Sequence, residues 1–163
     1  MPISMYHASI PLFIRALGNL SAILEKGAAH PDGATLVEAR LAPDMLTLAG
    51  QIQRASDTSK ACAARLGGID NPSFPDDETT FVQLQARIAK TLDFLRSVKP
   101  EQIDGSEGKA IASKAGPREL KFTGESYLLT FAIPNFYFHV TTAYAILRHK
   151  GVAIGKMDYI GGV

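Results

Sequence analysis

Two polar side chains interrupt an apolar helical run at a spacing that could do chemistry. Asn135 and His139 lie four apart in residues 126–147, a stretch without Asp, Glu, Lys or Arg. At helical pitch, i and i+4 share a face, so the amide and the imidazole stack on the same side. A neutral imidazole has one donor and one acceptor nitrogen, so it can ligate a metal or exchange a proton with a bound ligand. Pro134 cannot bond the Thr130 carbonyl, so the backbone beside the pair should open locally. The competing reading of both residues is structural: an imidazole satisfied by a neighbouring polar group and an amide bonded to freed backbone. If His139 is buried beside Asn135 and a glutamine, its pKa should lie below 6.5. Asp44 or Asp57 facing the ring would reverse that. Its own segment has no carboxylate between Glu125 and Asp158.

No other constellation competes. There is no Gly-rich phosphate loop followed by Lys and Ser or Thr, no Cys pair, no His-Glu-x-x-His and no Gly-x-Ser-x-Gly. His7 reads as a partly exposed side chain beside Tyr6, His30 stands in a linker, and His149 suits a helix C-terminal turn. The single cysteine, Cys62, excludes an intrachain disulfide and a Cys-based zinc site, and its place on an apolar stripe makes it a buried, inert thiol. Phe136, Tyr137 and Phe138 are consecutive, so no one helix face can bury them together. They suit either a core plus a subunit interface or an aromatic-lined pocket.

The elements that position these residues follow from hydrophobic period and breakers. With 163 residues, 46% of them hydrophobic, the chain suits one domain over residues 1–163. Ile3, Tyr6, Ile10, Phe13, Leu17, Leu20 and Leu24 form a helical stripe, giving a first helix over residues 4–26 that either kinks at Pro11 or begins there. Met45, Leu48, Ile52, Ala55, Ser59, Cys62 and Leu66 mark a second, with Pro43 in its first turn and Gly67 and Gly68 beyond its end. A third carries Phe81, Leu84, Ile88, Leu92 and Leu95, with Asp76 or Asp77 as its cap. Residues 109–114 and 119–122 suit a hairpin about the turn 115–117. The last helix spans residues 124–150 with Thr123 as its cap. It is apolar all round, so it should be buried on more than one side. The expected fold is all-α, a four-helix bundle with a short insertion between helices three and four.

Charge excludes some partners. Lys and Arg number 17 against 16 acidic residues, a net charge of +1, which argues against nucleic acid or an anionic membrane as partner. Pro134, Asn135, His139, Thr141 and Thr142 argue against a membrane-spanning last helix. The amino terminus lacks the basic region of a secretory signal, so the cytoplasm is the expected compartment. Surplus apolar surface on the first or last helix predicts a homodimer.

Four blocks carry a family resemblance: SMYHASIPLFIRALGNLSAILEK, RLAPDML, FVQLQARIAKTLDFL and ELKFTGESYLLTFAIPNFYFHVTTAYAILRHKGVAIGKMDYIG. In this order they resemble an uncharacterised bacterial family in the DinB-like superfamily of four-helix bundles. Many of those bundles bind a divalent metal through three histidines, and some relatives are thiol-dependent transferases or isomerases. The resemblance places His139 at the second position of a His-x-x-x-His pair and Asn135 at the first. On helix two, where the third histidine is expected, stand Gln51 and Gln53. A set of two amides and one imidazole is weak for zinc or nickel, unless His7 or Asp44 supplies a ligand. The implied function is a small-molecule-binding bundle that has lost the metal triad, with no cofactor expected. The alternative is a metal-dependent or His139-dependent transferase or hydrolase working between helices two and four.

Overall fold

The computed structural model describes residues 3–162. Four long helices carry the expected stripes: α1 (Ile10–Ala28), α3 (Leu48–Gly67), α4 (Phe81–Ser97) and α7 (Ile133–His149). The short α2 (Gly33–Leu36), α5 (Pro100–Ile103), α6 (Gly124–Tyr127) and α8 (Lys156–Ile160) lie between and after them. α1 packs on α4 and α7, and α3 packs on the same two helices, so the four close into a ring around one continuous core. Phe13 of α1 and Phe136 of α7 meet at its centre with ring centroids 4.7 Å apart. No helix among the described residues is long and apolar enough to cross a membrane.

Local chemistry moves three helix starts from where the stripes put them. α1 begins at Ile10 rather than near Ser4, because Pro11 can enter a helix only in its first turn. Ser4 instead bonds the His7 ring at 3.0 Å. α3 starts after Thr47, whose hydroxyl accepts the Gly50 N–H, while Pro43 stays in the preceding turn. α4 is capped by Thr80 in a reciprocal box with Gln83, not by Asp76 or Asp77.

The insertion is a hairpin of β1 (Ala110–Ala115) and β2 (Arg118–Thr123), antiparallel with Ala110 opposite Thr123 and Ala115 opposite Arg118. Gly116, at φ 59°, makes its tight turn. Gly124 fixes the hairpin's exit: a Cβ there would stand 1.9 Å from the Ser106 carbonyl oxygen. Beyond it the last helix is not continuous. Residues Leu128–Ala132 form a π turn in which the Ile133 N–H bonds the Leu128 carbonyl, five residues back. Pro134 explains it, since its ring clashes with the Thr130 carbonyl and it has no N–H to give, and a wider turn relieves both.

Candidate functional site

Two cross-helix hydrogen bonds join α3 to α7. Gln51, buried one turn into α3, meets His139 with Oε1 2.7 Å from the ring Nδ1. Its Nε2 donates to the Leu46 carbonyl at 3.3 Å. That bond uses the amide's donor end and leaves Oε1 for the imidazole, which assigns the proton to Nδ1 and the lone pair to Nε2. Seven residues on, Thr58 Oγ1 accepts from Asn135 Nδ2 at 3.0 Å. The fully buried Ala55 lies between these contacts and lets the helices approach closely. Asn135 and His139 thus share a face of α7, but each turns to its own partner on α3.

Burial, with the Arg54 charge added, pushes the His139 pKa down from 6.5 to about 4. Among the described residues no carboxylate acts on the ring. The depressed value has a sign for stability: the unfolded chain takes up the proton below pH 6.5 and the folded chain does so only near 4. Between those limits folding should weaken as pH falls, by up to about 1.4 kcal/mol per pH unit. His139→Leu should flatten that part of the stability curve relative to the parent chain, as followed by urea unfolding at stepped pH.

Three other candidates lie elsewhere. Gln53 faces away from α7 and donates to Glu78 Oε2 at 3.0 Å. His7 is exposed, bonded to Ser4 ahead of α1. Asp44 is exposed in the turn before α3. Among the described residues no three His, Cys, Asp or Glu side chains gather as ligands for an ion. Cys62 is fully buried and its pKa is pushed up to about 12, so it stays a thiol.

A second polar centre escapes a reading of periodicity. Arg87 of α4 and Lys60 of α3 are almost wholly buried. Arg87 reaches Asp57 at 2.8 Å, Asp76 at 3.1 Å and Glu78 at 2.9 Å, and donates to the Pro75 carbonyl at 3.0 Å. Lys60 Nζ donates to the Pro72 carbonyl at 2.8 Å and lies 3.7 Å from the centre of the Phe74 ring. Arg54 pairs with Asp76 as well. Residues 72–78 are thereby strapped across α3 and α4. The available signal was positional: Arg87 follows Leu84 by three and Lys60 follows Ile52 by eight, both on inward faces.

Comparison with known proteins accords with this architecture. The family described as Domain of unknown function (DUF1993) matches residues 5–160. The chain is similar to a crystal structure of a DinB family member protein from Shewanella denitrificans, with a TM-score of 0.86 and 38% sequence identity over 97% of this chain and 92% of that one. No curated protein matches the chain.

Proposed function

The chain belongs to the DUF1993 family of unknown function, and from that membership we propose that it binds a small organic molecule at the α3–α7 seam, without a resident metal. The observation that carries this reading is the commitment of both amides: Gln51 Oε1 to His139 and Asn135 Nδ2 to Thr58. One imidazole nitrogen remains as a good donor atom. Zinc and nickel sites need several imidazole, thiolate or carboxylate donors, and neutral amides replace these poorly. His139 Nε2 and Asn135 Oδ1 are instead hydrogen-bond acceptors for a ligand. A pKa near 4 also makes the imidazole a weak base at neutral pH, which favours binding over proton abstraction.

Metal analysis of protein purified without an affinity tag tests the absence of a centre, and zinc, nickel or manganese at one per chain would overturn it. Melting-temperature screening against a library of small amides and alcohols tests the binding. At least one compound should raise the melting temperature of the parent chain and not of His139→Leu. Stabilisation of both alike would remove the imidazole from the site.

The same reading includes a homodimer. Phe138 and Leu129 are 53% and 52% exposed on the solvent side of the last helical region, an unusual position for side chains of their size. Sedimentation at micromolar concentration should give twice the 17.5 kDa chain mass, and Phe138→Lys should shift it to the monomer. A parent chain that sediments as a monomer ends this part of the proposal.

A further inference from the structure

The C-terminal end of α3 and the hairpin enclose two adjoining grooves of about 230 and 320 Å³, and Arg65, Ser113 and Lys114 are in the wall of both. Arg65 is half-buried, and its Nη1 donates to the Tyr127 hydroxyl at 2.9 Å. Among the described residues it has no carboxylate partner. One hydrogen bond to a buried tyrosine fixes the plane of the guanidinium and leaves most of its five N–H groups for something else.

Ser113 supplies a second, independent indication. The residue as a whole is only 5% exposed, but it is in the wall of both grooves and its hydroxyl makes no hydrogen bond among the described residues, so it is open to the groove and free to donate. The two carboxylates nearby do not fill the place. Asp57, in the wall of the smaller groove, is held by Arg87 and Lys60, and Glu119, in the wall of the larger, sits opposite Lys114 on the hairpin. The negative end of α3 is countered as well, because Lys109 Nζ donates to the Leu66 carbonyl at 3.1 Å. Phe131, stacked on Tyr127 at 5.9 Å, forms an apolar wall of the smaller groove.

We propose that Arg65 and Ser113, with Lys114 at the rim, bind the oxyanion of a small organic acid whose flat apolar body rests on Phe131. A planar guanidinium matches two oxygens of a carboxylate or phosphate ester, and the serine hydroxyl donates to a third lone pair. This subsite goes beyond the reading built on His139. Asn135 is in the wall of the smaller groove, so the two sites adjoin there, but Gln51, the partner of His139, is fourteen positions from Arg65 on α3, about 20 Å along its axis, and the anion contacts do not involve the imidazole.

Benzoate, phenyl phosphate and neutral benzamide, titrated separately into the full chain by calorimetry, test the proposal. At least one anion should bind about tenfold more tightly than benzamide, and the tighter anion identifies the oxyanion as carboxylate or phosphate. Arg65→Gln should abolish the preference. Because that change also removes a bond to Tyr127, Ser113→Ala provides a second arm: its hydroxyl bonds nothing in the protein, and its loss should weaken the anion about tenfold. His139→Leu should leave anion binding unchanged. Equal affinity for benzamide, no saturable binding of either anion, or a preference that survives in both Arg65→Gln and Ser113→Ala would overturn the assignment.

Discussion

Replacing Gln51 and Asn135 together by histidine is expected to give a chain that takes up one zinc or nickel ion, whereas the parent chain retains far less than one. Gln51 Oε1 is 2.7 Å from the His139 ring and Asn135 is one turn away on the same helix face. Imidazoles at both positions converge with the existing one once the side chain at 135 turns from Thr58 toward Gln51. Metal content by mass spectrometry and melting temperature with and without added zinc check this. A metal at about a hundred times its Kd stabilises the fold by about 2.7 kcal/mol. For a chain of this size that raises the melting temperature by roughly 5–10 °C. A double variant that folds but shows neither uptake nor stabilisation would mean that the seam is not laid out as a metal site.

Arg87→Ala should be the most destabilising single change outside the apolar core. The guanidinium is buried among Asp57, Asp76 and Glu78, and truncation leaves Glu78 with no cation and Asp57 and Asp76 with only Lys60 and the more exposed Arg54. Breaking a buried ion pair from one side costs about 3–5 kcal/mol, a fall of order 10 °C in melting temperature. Arg54→Ala, at a much more exposed partner of the same carboxylates, should cost under about 1 kcal/mol. The difference between Arg87→Ala and the parent should also depend on pH. Burial works against ionisation of Glu78, but hydrogen bonds from Arg87 and Gln53 outweigh it and hold its carboxyl below the usual range. That stabilisation is complete above the unfolded pKa of about 4.3 and is lost as the carboxyl protonates, so the penalty should shrink in acid. A variant melting within about 2 °C of the parent at pH 7 would remove the strap's structural role.

How much of this could be read from the sequence depended on what each residue pattern reports. Apolar period and Gly-Pro punctuation report packing, and they placed the four helices and the hairpin, but they set the first helix six residues too early unless it begins at Pro11 and ran the last one straight through its π turn. Cap identity was less visible, because acidic residues before a helix normally suggest a cap; here Asp76 and Glu78 serve Arg87 and leave the cap to Thr80. Charge at an inward position normally reads as a solvated face, so periodicity alone does not put Arg87 and Lys60 inside. At the seam, the i, i+4 relation of Asn135 and His139 was legible, as was the lowered imidazole pKa. Gln51 and Gln53 could not be separated by spacing to a motif. Two residues apart on a helix they point about 200° away from each other, so only one can face α7. His7 was drawn toward the site by a helix one that Pro11 does not allow to extend that far.

The widened turn at residues 128–132 makes chain length in this region as consequential as residue identity. A π turn amounts to one surplus residue wound into an α-helix, so it sets the phase of everything that follows. Closing it up as regular α at unchanged length would rotate Asn135, His139 and Phe136 by about 100° against α3 and α1. Both seam hydrogen bonds and the central aromatic contact would be lost together without a polar side chain having been touched, and a residue added within α7 before Asn135 would have the same effect. Loss of one residue from the turn itself, by contrast, leaves a regular helix with the seam still in phase. The segment is therefore tolerant of exchange at its exposed positions, such as Leu129 and Thr130, and its response to a change of length depends on the sign, unlike that of a surface stretch between two elements.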